Sequence, residues 1–121
     1  MNPQYESLFT PWKIGNVEIK NRIVMCPMGG TSLFGWFELG GCHFDKEAAN
    51  LFLERANNNV GLIIPGIAPL RDTFWGKWLW QNPKMFKELK VFMDEIHKTG
   101  AKLFVQLTAG MGRSWAITEL V

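Results

Sequence analysis

Residues 22–30 run Arg-Ile-Val-Met-Cys-Pro-Met-Gly-Gly, an apolar strand that ends in Pro27, Met28, Gly29 and Gly30. Such an ending combines a fixed φ, a flexible thioether and backbone without side chains. It suits a flat ligand lying against the chain. The other reactive side chains are few. Cys26 and Cys42 lie sixteen positions apart with no CxxC pair, which excludes a zinc knuckle and a thioredoxin-type motif. His97 falls in the last turn of an expected helix, where an imidazolium suits the helix dipole, and His43 precedes a helix cap. Both are read as structural. Acidic pairs such as Asp94-Glu95 belong to an exposed helix face, so these residues contain no acid–base constellation.

Several nucleotide and nucleophile motifs fail on inspection. Gly110-Met111-Gly112 opens like a dinucleotide fingerprint, but Trp115 stands at the third glycine's position. Gly35 and Gly40 are followed by Gly41-Cys42 instead of Lys and Ser/Thr, so no P-loop is formed, and no G-x-S-x-G elbow is present. Six Trp and nine Phe are many for 121 residues, and Trp75, Trp78 and Trp80 crowd one short stretch. Aromatics at that density line interfaces and flat ligand sites, or fill a core.

The elements that must position these residues follow from periodicity. Residues 12–20 alternate about Gly15-Asn16 and predict a β-hairpin. A buried strand over 22–27 follows, then a glycine-rich loop over 28–43. Asp45 predicts the N-cap of a helix with Ala48, Phe52 and Ala56 on one face and Ala49 and Leu53 beside them; Asn57-Asn58-Asn59 ends it. A second strand over 60–66 leads to a loop over 67–81 that carries the tryptophans. Asn82-Pro83 opens a second helix with Met85, Leu89, Phe92 and Ile96 in register, and Gly100 closes it. A third strand over 101–107 runs into Thr108–Ser114. Strands alternating with helices imply a parallel sheet with right-handed crossovers, whose site lies in the loops after the strand C-termini.

One domain with a single core fits the length. The net charge of +2, with no run of five like charges, speaks against nucleic acid and acidic membranes as partners. The chain lacks an export signal and an apolar run of membrane-spanning length, so a cytoplasmic protein is expected.

The stretch Leu8-Phe9, Pro11, Ile14-Gly15, Lys20-Asn21-Arg22-Ile23-Val24 and Pro27-Met28 resembles the opening of the Old Yellow Enzyme family of FMN-dependent NADH:flavin oxidoreductases. The second and third strands, "GLIIPGIAP" and "VQLTAGMGR", are similar to their counterparts in that family. The "GIAP" form is most similar to the 2,4-dienoyl-CoA reductase-like branch, which adds a 4Fe-4S cluster and FAD. The resemblance implies a TIM (β/α)8 barrel, of which residues 1–121 are the N-terminal segment: about three βα units behind a leading hairpin. It implies FMN in the barrel mouth, NAD(P)H as hydride donor and hydride transfer from reduced FMN to the activated C=C bond of a small-molecule substrate. Carried over position by position, Pro27, Met28 and Gly29 support the ring, Gly66 or its neighbour Ile67 does so after strand two, and Gln106 hydrogen-bonds the pyrimidine edge. Trp75 and Trp78 are candidates to flank substrate.

Three departures accompany the resemblance. Glycine at position 29 removes a side chain that commonly tunes the flavin, and "GLIIPGIAP" is one residue shorter than the usual branch form. A whole barrel needs roughly 250 residues, and the family's substrate-binding His/Asn pair, proton-donating Tyr, FMN phosphate site and cluster cysteines lie beyond the third strand. The isolated chain is therefore expected to be inactive. Its third strand is expected to be an open edge that favours association, including homo-oligomers. A non-catalytic truncated product that only associates with other chains is the alternative. A phosphate-binding barrel such as an aldolase fits the architecture but not the motifs.

Overall fold

The computed structural model describes residues 2–28, 33–34, 43–69 and 83–108. A 3₁₀ helix, Pro3–Phe9, leads the chain. It follows Asn2, whose side chain accepts from the Gln4 N–H, with proline in the first turn. Alternation did not reveal this element, because all but Phe9 of its residues are exposed and no apolar period marks it.

The hairpin is β1, Trp12–Ile14, and β2, Val17–Ile19, antiparallel with Ile14 opposite Val17. Gly15 takes the positive φ, +57°, that a two-residue turn with glycine first requires. Then come β3, Val24–Met25; α1, Lys46–Asn57; β4, Leu62–Ile63; β5, Ile67–Pro69; α2, Pro83–Lys98; β6, Lys102–Leu103; and β7, Gln106–Thr108. Strands β3, β4 and β6 form a parallel sheet in that order, while β5 and β7 pair parallel in a second ladder.

Both helices begin and end for local reasons. Asp45 caps α1 by accepting from the Ala48 N–H at 3.0 Å. Its exit passes through Asn59 at φ +72°, a left-handed conformation that asparagine tolerates. After α2, Gly100 at φ +78° takes the same role. The buried faces are Ala48, Ala49, Phe52 and Ala56 on α1, and Met85, Phe92 and Ile96 on α2. They pack on Ile63 and Ala101, with Met25 and Leu103 at the margin, as a single sheet-on-helix core. One expectation is corrected, that for residues 67–69, and the loop over 28–43 gains a buried turn. Leu33 and Phe34, inside the stretch read as loop, are fully buried in that core, and their carbonyls accept from the backbone N–H groups of Asp45 and His43 respectively. Residues 67–69, read as loop, are a strand.

The N-terminal ends of the sheet are tied by three consecutive side chains. The Lys20 ammonium donates to the Thr99 carbonyl beyond α2 at 2.8 Å. The Asn21 amide donates to the Asn59 carbonyl beyond α1 at 2.7 Å. The Arg22 guanidinium donates to the Thr10 hydroxyl at 3.0 Å, and its backbone N–H donates to Leu8. Lys20-Asn21-Arg22 thus binds both helix exits and the leading segment to the entry of β3.

Burial pulls the Lys20 ammonium below the ordinary lysine value of 10.5. The unfolded chain therefore holds that proton more tightly in the interval between the lowered value and 10.5. Stability should rise slightly as pH climbs through the interval. Denaturant unfolding measured toward pH 10.5 should show this rise in the native chain and lose it in Lys20→Met; equal slopes would refute the assignment.

Candidate functional site

Parallel partners in register send their side chains to the same side of a sheet. Met25, Ile63 and Leu103 form one such row and meet the helices. Val24, Leu62 and Lys102 form the other row, on the face turned away from them. All three strands run the same way, so their C-terminal ends converge: Cys26-Pro27-Met28 after β3, Ile64-Pro65-Gly66 after β4, and Phe104-Val105-Gln106 after β6. Hydrogen bonds hold these ends level. The Ile64 N–H donates to Met25 at 2.9 Å and the Phe104 N–H to Ile63 at 3.0 Å.

The second ladder is offset from the first. Ile63 pairs with Leu103, but Ile67 pairs with Gln106. Three residues, 64–66, therefore stand opposite two, 104–105. This is the signature of a β-bulge. Pro65, fully buried and without an N–H, cannot contribute a donor to the ladder at the point where the pairing breaks.

Of the residues expected to contact a ligand, Pro27 and Met28 are exposed at the end of strand one, Met28 at 48%. Gly66 is buried within the bulge. Gln106 is exposed as the first residue of β7, with Ile67 as its direct neighbour. Between the two candidates after strand two, the register sets Ile67, not Gly66, beside Gln106. Gly29, Trp75, Trp78 and Cys42 lie outside the described residues. His43 is partly buried ahead of α1, and His97 is exposed on the last turn of α2, away from the strand C-termini. Cys26 is exposed. Among the described residues, no group of three or more His, Cys, Asp or Glu side chains could hold a metal ion, and no helix is long and apolar enough to cross a membrane.

The bulge and its consequence for Ile67 escaped the sequence reading. Only a comparison of the spacer lengths 64–66 and 104–105 could have suggested it, and that comparison needs the pairing first.

The order of parallel strands and the helices packed on one face of them define the opening part of a TIM (β/α)8 barrel. Solved barrels agree with it in fold. Over 84% of this chain and 26% of its own, Old Yellow Enzyme from Pichia sp. AKU4542 superposes with TM-score 0.64 at 24% identity. A 2-naphthoyl-CoA reductase does so over 85% of this chain and 16% of its own, with TM-score 0.64 at 26% identity. The sequence model of the NADH:flavin oxidoreductase / NADH oxidase family matches residues 7–118, and the chain belongs to that family. It is 38% identical to cinnamate reductase of Clostridium sporogenes over 120 residues, covering 93% of this chain and 17% of the relative. It is 33% identical to an NADPH dehydrogenase of Bacillus velezensis over 106 residues, covering 83% and 29% respectively. The chain thus spans less than a third of the length of either relative.

Proposed function

We propose that this chain supplies one side of the flavin site of an FMN-dependent ene-reductase, as the N-terminal segment of its (β/α)8 barrel domain. The observation that carries the reading is the register pairing of Ile67 with Gln106 on neighbouring parallel strands, with the exposed Pro27-Met28 following strand β3, which pairs with β4 in the same sheet. These residues fit a flat ring with one polar edge. Met28 offers an exposed apolar surface, and the exposed Gln106 carboxamide offers a donor and an acceptor to an imide-like edge. Bound FMN would supply hydride chemistry between NAD(P)H and the activated C=C bond of a small-molecule substrate. The chain's own part is to bind and orient: Pro27 and Met28 support the ring, and Gln106 fixes its rotation. The identity to cinnamate reductase, a relative about six times this chain's length, supports the longer branch; its 4Fe-4S cluster and FAD would be held by residues outside this chain.

Titration of the purified chain with FMN and with lumiflavin, the ring alone, tests the reading. Quenching of flavin fluorescence is expected with both, without NADPH-dependent reduction of a simple enone. Gln106→Leu should weaken lumiflavin binding by about tenfold, the worth of one hydrogen-bonded edge. Absence of quenching would refute the flavin reading, and steady-state enone reduction would refute the assignment of only one side of the site. The alternative, a non-catalytic chain that associates with others, draws support from the exposed Val105 and Leu107 beside Gln106. It would be favoured by concentration-dependent self-association without flavin binding.

A further inference from the structure

The outer side of the two helices carries an open groove of about 230 Å³. Leu53 of α1 and Val91 and Phe92 of α2 are its apolar lining, and Lys46, Glu88 and Glu95 are its charged groups. Phe92 is held by a tilted ring contact with Phe44, centroids 5.8 Å apart, so the floor is fixed before anything binds. Val91 is 63% exposed, more than any other large apolar side chain of the described residues. Helix propensity gives no reason for it, because lysine, glutamate or glutamine suits an exposed helical position better than a β-branched residue does. Lys46, Glu88 and Glu95 have no ion-pair partner among the described residues, whereas Lys90 and Asp94 of the same α2 pair at 3.0 Å.

We propose that this groove is a homodimer interface, and that its occupant is the same groove of a second copy of the chain. The rest of a (β/α)8 barrel does not fill it, because helices form the outer ring of that fold and lie beside one another. Both helices lead from one parallel strand to the next, so they run in the same direction. A two-fold axis laid along them sets α1 of one copy over α2 of the other without reversing either. Lys46 of each copy then faces the Glu88 and Glu95 side of the other, and Val91 of each closes over Leu53. The cation is on α1 and both carboxylates are on α2, so opposite charges meet at both halves. The surface is complementary to itself, as an isologous contact requires. This interface is distinct from the open edge of the third strand and does not depend on the flavin reading.

Sedimentation equilibrium of the full chain, up to about 1 mM, tests the interface. The wild-type chain should be a reversible dimer whose pairing weakens as salt is raised, because the charges of the groove are screened. Lys46→Glu, and separately the double change Glu88→Lys with Glu95→Lys, should each weaken self-pairing by about tenfold or more, since every facing pair becomes like-charged. An equimolar mixture of those two variants should dimerise as well as the wild type, which also shows that both are folded. Val91→Gln should weaken dimerisation by about tenfold, the apolar contact being lost from both copies. The thermal midpoint of the dilute chain should be kept or raised by glutamine, the better helix former. A wild-type chain that stays monomeric, a mixture that fails to pair, or an association that survives these changes would overturn the proposal. Each of those results leaves the flavin reading standing, since lumiflavin titration reads that site separately.

Discussion

Replacing Asn21 by leucine is expected to destabilise the chain by about 3 kcal/mol, lowering the thermal midpoint by roughly 10 °C. Asn21 is the buried polar residue of the described structure, 2% exposed, and both ends of its carboxamide are used. The amide donates to the Asn59 carbonyl at 2.7 Å, and Oδ1 accepts from the Ile23 N–H at 3.0 Å. Leucine would leave that donor and that acceptor without their partner. Each unsatisfied buried group costs about 1–3 kcal/mol. The Asn59 carbonyl belongs to a residue held at φ +72°, so the α1 exit would lose an anchor as well. Thermal or urea unfolding checks the result; a loss below about 1 kcal/mol would mean that the contacts are replaced by water. Trp12 Nε1, which donates to the Asn21 backbone carbonyl at 2.7 Å, should be unaffected and so provides a fluorescence control.

The second large effect is expected at Gly61. A Cβ there would collide with Oδ1 of Asn21 and lie 3.0 Å from both Cγ and the backbone oxygen of Asn21. Neither side can yield easily. The Asn21 side chain is held by its hydrogen bonds, and Gly61 is held in the sheet: its N–H donates to Ile23 at 3.0 Å, while its carbonyl accepts from Lys102 at 2.9 Å. Gly61→Ala should therefore cost about 3 kcal/mol, through overpacking and a displaced carboxamide. Because much of the clash is with the Asn21 side chain, the two changes should couple. In an Asn21→Ala background, Gly61→Ala should cost at least about 1 kcal/mol less than it does alone, as contacting residues commonly do. Strict additivity in the double-mutant cycle would show that the clash is not what makes glycine necessary.

These two sites show how much of the molecule could be read along the chain. The helices were legible because their signals are local: Asp45 before α1, proline opening α2, and apolar side chains on one face of each. The order of elements then implied a parallel sheet, and the three adjacent parallel strands bear this out. Lys20-Asn21-Arg22 stood out only as a motif. Its work is long-range, reaching Thr99, Asn59 and Thr10, and no local pattern records which distant carbonyl a side chain will meet.

The site divides in the same way. Pro27-Met28 stood out because an apolar run ending in a proline is visible in one dimension, whereas Gln106 was singled out only by the resemblance to the family. The choice between Gly66 and Ile67 stayed open, since a parallel pair in register can shift by one residue without changing composition or period. Sequence alone thus determined the hairpin, both helices and the order of the main strands, the family and the end of the sheet that carries the candidate site, but not the leading 3₁₀ helix or strand β5. Tertiary structure alone decided which residue of strand two faces Gln106. That choice depends on pairing between segments forty positions apart, where Pro65 breaks the ladder and the buried place goes to Ala68.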